Sequence, residues 1–169
     1  MPALIALGAE AIPALLDLTR STDSDQRWWA IRTLAQSPLA RTEDLIPFLS
    51  DPTSEVRAAT ALALYSHPDE TAIPALTETL SDEDSITAQL AGNALVAIGN
   101  PSVPALLEVL KETKQSAHIQ AMRALAVIRD HRTISAMMQV MDEDSVLLQH
   151  WAKEGLERLG LNMVYIKPL

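Results

Sequence analysis

The chain of 169 residues contains no cysteine, and that single absence removes disulfides, thiolate metal sites and thiol nucleophiles. Aromatic residues make up only 4% of it, and the β-branched residues that would join them in strands are thin as well. Glycine occurs five times, nowhere in a glycine-rich phosphate loop or a nucleophile elbow. There is no apolar run of the roughly 18 residues that a membrane span needs, and the opening Met1-Pro2-Ala3-Leu4 lacks the basic flank of a signal peptide. A soluble, cytoplasmic protein without a membrane partner is expected. Cations are outnumbered, 13 Lys and Arg against 22 Asp and Glu, for a net charge of −9. Such a surface repels a phosphate backbone, so nucleic acid is not expected as a partner.

What the chain does have is a period. Leu4, Leu34, Leu64, Leu95, Leu125 and Leu156 follow one another at intervals of 30 or 31 residues, and Leu15, Leu45, Leu76, Leu106 and Met137 precede the last five of them by 19. Ala30, Thr60, Ala91, Ala121 and Ala152 stand four residues before the same leucines, one helical turn away. A position held small in every unit marks helices in near contact. Alanine and leucine carry most of the apolar content, and both are strong helix formers. The expectation is an all-α fold of tandem two-helix units, each burying its apolar side on the next.

Within a unit the first helix is short. Pro13, Pro74 and Pro104 fall in its first turn, where proline's missing N–H has no intrahelical partner to lose. Glu43 and Ser135 take that place in the other two units, and the second unit carries its proline later, at Pro47, so its first helix should start late or bend. An acidic, polar turn follows, as in Ser50-Asp51-Pro52-Thr53-Ser54, Ser81-Asp82-Glu83-Asp84-Ser85 and Met141-Asp142-Glu143-Asp144-Ser145. Its Asp and Ser residues suit the amide-rich start of the second helix. That helix should stop at Pro38, Pro68, Gly99, Arg129 and Gly160.

Segments such as Ile73-Pro74-Ala75-Leu76 with Ala91-Gly92-Asn93-Ala94-Leu95-Val96-Ala97-Ile98-Gly99, or Glu55-Val56-Arg57-Ala58-Ala59-Thr60-Ala61-Leu62, resemble the short bacterial HEAT-like repeats, including those of phycobilisome lyases. The resemblance implies a right-handed α–α superhelix of about five repeats in a single domain, at about 9–38, 39–68, 69–99, 100–129 and 130–160. Residues 1–8 then match the close of a preceding repeat's second helix, so the chain begins in mid-repeat, and 161–169 form a C-terminal tail. Both ends are apolar, and three readings stand open: a fragment of a longer array, a tail folded back as a cap, and end-to-end self-association of two copies. The family's inter-repeat arginine matches Arg27 and Arg57, which are expected to meet acidic turn residues of adjacent units. Its Val-Arg opening fades to Thr87-Ala88, Ala117-His118 and Leu148-Gln149.

Helical geometry fixes the outward row of each second helix as the positions six and two before the leucine and one after it. These are Trp28, Arg32 and Ala35; Ala58, Leu62 and Tyr65; Gln89, Asn93 and Val96; Ile119, Arg123 and Ala126; His150, Glu154 and Glu157. By the resemblance, second helices line the concave face. Aromatic residues and arginine dominate interaction hot spots, and Trp28, Arg32, Leu62, Tyr65, Asn93, Ile119, Arg123 and His150 are the candidate partner-binding residues. Packing between neighbouring helices is the competing role for the apolar ones, and Trp29 and Trp151, at a common position toward one flank, are expected to pack.

No catalytic, cofactor-binding or metal-ligating residue is assigned. His150 and Glu154 are spaced i, i+4, but no third ligand stands near them, and no His-Glu dipeptide of the kind used by HEAT-like deoxyhypusine hydroxylases occurs. The duplicated Asp-Glu-Asp-Ser at 82–85 and 142–145 lacks the glycine and distant glutamate of a calcium loop. The basic groove of HEAT-like DNA glycosylases is missing from so acidic a chain. The expected function is a non-enzymatic scaffold that holds a partner protein or peptide on the concave face, with a subunit handling a bilin chromophore, as in phycobilisome lyases, as the alternative.

Overall fold

The computed structural model describes residues 8–112, 115–142 and 145–161. The expected mid-repeat start at 1–7, the tail at 162–169 and the Glu143-Asp144 half of the second acidic quartet lie outside the described residues. Among the described residues ten α-helices form five pairs: α1 Ala11–Leu18 with α2 Ser24–Leu34, α3 Thr42–Leu45 with α4 Ser54–Ser66, α5 Ile73–Thr79 with α6 Ser85–Ile98, α7 Val103–Val109 with α8 Gln115–Ile128, and α9 Ile134–Val140 with α10 Val146–Arg158. No strand occurs among the described residues. Each second helix packs on the next along the array, which is the stacked two-helix solenoid the period implies.

The anchors do what their spacing requires. Leu34, Leu64, Leu95, Leu125 and Leu156 are buried, as are Leu15, Leu45, Leu76, Leu106 and Met137 and the whole small-residue series. Burying one leucine contributes roughly 1.5–3 kcal/mol, and the five pairs share one continuous core rather than five separate ones. At the one small position that holds a hydroxyl, Thr60 Oγ1 donates to Val56 O at 2.8 Å, so no buried polar group is left unpaired there.

Boundaries follow local chemistry. A 3-10 turn leads into α1, α5, α7 and α9, at Gly8–Glu10, Glu70–Ala72, Asn100–Ser102 and His131–Thr133. Pro47 falls in a further 3-10 stretch, Ile46–Ser50, that cuts α3 to four residues, so the first helix of the second unit is bent as the misplaced proline implies. Three of the second helices, α2, α6 and α10, are capped at their starts by Asp23, Asp84 and Ser145, whose side chains accept from Asp25 N, Thr87 N and Leu148 N. Gly99, Arg129 and Gly160 leave the second helices in the left-handed region, with φ of 83°, 61° and 83°. Among the described residues, no single helix is long and apolar enough to cross a membrane.

Two expectations about the second helices need correction. Ala126 is fully buried because α10 approaches α8 closely: a Cβ placed on Gly155 would come within 3.1 Å of Ala126 Cα. Trp29, expected to pack, is 48% exposed. Its register is held by Ala59 and Leu90 in the next two units, both smaller, and the indole projects past the seat they fill. Trp151 does pack against the core.

Candidate functional site

Two of the acidic turns between the helices of a unit are consumed by structure. Arg27, from α2, donates through Nε and Nη2 to Asp51 at 2.8 Å each, and Arg57, from α4, donates to Asp82 at 2.7 and 2.8 Å. These are the inter-unit contacts expected of the two arginines, in the bidentate geometry that suits guanidinium to carboxylate. Each also ties down its own unit, Arg27 through Ser21 O and Arg57 through Asp51 O. Hydrogen bonding to the carboxylates raises both arginines' pKa values above the ordinary range. Burial opposes ionisation of Asp51, but hydrogen bonds from Arg27 and Thr53 outweigh it and hold the carboxyl below its usual value.

The outward row of second helices divides into two groups. On α2, Trp28 meets Trp29 edge-on with ring centroids 4.7 Å apart, and the Arg32 guanidinium sits 4.9 Å from the centre of the Trp28 ring, a cation–π contact. The two indoles line a groove of about 550 Å³ with Ser24, Asp25, Glu55 and Val56. Trp28 also packs on the core, so its role is partly structural. Trp29 belongs to this groove although the sequence reading placed it in the packing; the adjacent tryptophan pair was the available signal.

The second group spans three units. Leu62 and Tyr65 on α4 and Leu90, Asn93 and Val96 on α6 enclose a depression of about 430 Å³. Asn93 also accepts from Arg123 on α8, Nη2 to Oδ1 at 2.6 Å, and the same Nη2 reaches Gln89 O at 3.1 Å. Asn93 and Arg123 hold one repeat position in successive units, so the contact follows from stacking in register. Burial pulls the Arg123 pKa down. Of the remaining candidates, Ile119 is half-buried and packs on the core. His150 rests its ring on Trp151 at 5.3 Å and shares no pocket or hydrogen bond with the other candidates among the described residues. Glu154, its i+4 neighbour, pairs with Arg158 at 3.0 Å, and no cluster of metal-ligating side chains occurs among the described residues.

A third groove, of about 630 Å³, lies on the opposite layer between first helices α7 and α9, walled by Val103, Leu107, Leu110 and Val140 with Lys111 and Arg132 at its rim. Nothing in the periodic pattern had pointed to it, because first helices were read only for their anchors.

Known proteins match this chain in three ways. Residues 42–117 fit the family described as HEAT repeats. The bilin biosynthesis protein RpcF of Synechococcus sp. (strain WH8020) is 33% identical over 91 residues, 53% of this chain and 44% of the relative, so this chain spans less than half the length of the curated relative it matches. Among solved structures, the complex of CpcE and CpcF of phycocyanin lyase from Nostoc sp. PCC7120 superposes with a TM-score of 0.64 at 20% identity, over 91% of this chain and 66% of that one. A designed armadillo repeat protein in complex with the peptide (KR)4 superposes with a TM-score of 0.53 at 17% identity, over 93% and 89%. At these identities the structural likenesses speak to the fold.

Proposed function

This chain is a HEAT-like repeat protein, and from that premise we propose that its second-helix face, concave in this reading, docks a partner protein or peptide. The five units from 9 to 160 act here as one domain, and the candidate contacts are the eight outward residues named from the sequence. The observation that carries the reading is the depression bounded by Leu62, Tyr65 and Asn93: the exposed apolar side chains Leu62 and Tyr65 stand on α4 beside Asn93 of α6, which holds an arginine of α8. Hot-spot residues in a preformed seat lose little conformational freedom on binding. The test compares proteins captured from the cell of origin by the wild-type chain and by Leu62→Ser and Tyr65→Ala, with circular dichroism and melting as controls. Loss of specific partners at unchanged melting supports the reading, and an identical captured set overturns it.

A second reading is favoured by the likeness to a bilin biosynthesis protein: the groove of Trp28 and Trp29 would hold a flat conjugated tetrapyrrole, with Arg32, stacked on Trp28, on a propionate. Mixing the chain with a bilin and recording the visible spectrum separates the two. An unshifted spectrum at high protein concentration removes the bilin reading.

A further inference from the structure

We infer that Arg123 is the receptor for a carboxylate on the docked partner, and that the partner is a peptide segment pairing an Asp or Glu with a nearby apolar side chain that fills the Leu62–Tyr65 depression. The inference rests on the reading of the second-helix face as a docking surface and names what that surface selects. It begins from a contrast among the arginines. Arg27 and Arg57 each hold a carboxylate in two short hydrogen bonds. Arg123, half-buried, has none: no carboxylate lies within ion-pair distance of it among the described residues, and both of its hydrogen bonds come from Nη2 and end on neutral oxygens, Asn93 Oδ1 and Gln89 O. A guanidinium carries five N–H donors, and those on Nε and Nη1 meet no acceptor among the described residues.

A cation drawn out of water without a counter-charge is costly unless an anion completes it, and burial already depresses this group's pKa. The side chain is also held in place. Its anchor, Asn93, is a wall of the apolar depression, so the cation and the apolar seat share one residue. Gly92 is a close neighbour: a Cβ at that position would lie 3.6 Å from Arg123 Nη2, an ordinary contact. The chain's net charge of −9 repels an acidic segment at long range, so recognition must come from this partly desolvated contact, where Coulomb attraction is least weakened by water. A basic peptide fits worse, because its charge would face the arginine.

The experiment selects a phage-displayed random peptide library on the full chain, then titrates the labelled winners by fluorescence anisotropy. Binders should carry Asp or Glu close to Leu, Phe or Trp. Arg123→Gln should weaken them about ten- to a hundredfold, the scale of a lost charged hydrogen bond. Amidating the peptide's acid should cost a similar factor in the wild type and nothing further in Arg123→Gln. Leu62→Ser, at an exposed position, should weaken them independently and leaves Arg123 intact. Binders without acidic enrichment, or insensitive to Arg123→Gln yet lost with Leu62→Ser, overturn the carboxylate receptor and leave the docking face standing. An empty selection, or binders indifferent to both variants, overturns the docking face as well. If biliverdin alone gives an Arg123-dependent spectral shift while no peptide is selected, the arginine serves a propionate and the peptide inference is wrong.

Discussion

Replacing Asp51 by asparagine should destabilise the array more than the same change at Asp82, although both carboxylates receive an arginine in nearly the same geometry. Asp51 and Arg27 have side chains 4% and 11% exposed, and Asp82 and Arg57 are both 9% exposed. Each Asp also accepts from the backbone two residues on, Thr53 N or Asp84 N, at 2.9 Å, a bond that asparagine can keep. What separates the two is the neighbourhood. Arg57 has a second carboxylate at hand, Glu83 Oε1 at 3.6 Å with a side chain 91% exposed, which can swing in when Asp82 loses its charge. Arg27 has no such reserve within ion-pair distance among the described residues.

Leaving a buried cation unpaired costs about 3 kcal/mol, so Asp51→Asn should lose about that much and Asp82→Asn nearer 1 kcal/mol. Urea unfolding followed by far-ultraviolet circular dichroism measures both. Glu83→Gln alone should cost close to nothing, as exposed ion pairs do, but in the Asp82→Asn background it should remove about a further 1–2 kcal/mol. Equal losses at Asp51 and Asp82, or a Glu83 effect that is the same in both backgrounds, would refute the reserve-carboxylate reasoning.

The two helix-interior glycines should respond in opposite directions. At Gly92 a Cβ meets only ordinary contacts, so Gly92→Ala should raise stability by about 0.5–1 kcal/mol through helix propensity. Gly155→Ala drives a methyl into Met137 and against the Ala126 backbone and should lose about 1–2 kcal/mol by overpacking; thermal melting distinguishes them. Acid should destabilise the fold in a defined window. Hydrogen bonds from Arg132 lower the Asp130 pKa to about 2, and Asp51 is lowered by Arg27. Groups depressed in the folded state stabilise it above the unfolded carboxylate value, about 3.9, and lose that contribution as pH falls through the folded value. The melting temperature should therefore drop between about pH 4 and pH 2, and Asp130→Asn should flatten that drop.

Most of the fold was legible because the same two facts, a period of 30 or 31 and a helical face, fix every anchor. The leucines and the small series follow from them, whereas the break at Pro47 follows from proline's missing N–H and the inter-unit arginines from the resemblance to HEAT-like repeats. What escaped depended on contacts between particular units. Thr33, Ala63, Ala94 and Ala124 precede the anchor leucine in four units and Gly155 in the last, and that one loss of a Cβ lets α10 close over Ala126. The glycine was visible in the series, but its effect falls on a neighbouring unit's residue. The candidate site was legible as a row and not as groups, since only stacking shows that Asn93 faces Arg123 and that His150 stands apart.

The same logic explains how the array holds together after its arginines run out. Arg27 and Arg57 each do two jobs, bonding a carbonyl six residues back in their own turn and a carboxylate in the next unit. His118 keeps the first job, its Nε2 lying 2.8 Å from Glu112 O, also six residues back, and Gln149 reaches Met141 O at 3.4 Å. His118 makes no bidentate clasp on a following carboxylate among the described residues. The fourth and fifth units are joined instead by proximity, through the glycine that brings α10 onto α8. The first interfaces are thus latched by charge and the last by packing, so Asp51→Asn should loosen the array from its N-terminal side, whereas Gly155→Ala should loosen it from the other. Hydrogen exchange resolved by segment tests this: protection lost first in α8 and α10 of Asp51→Asn would contradict the division.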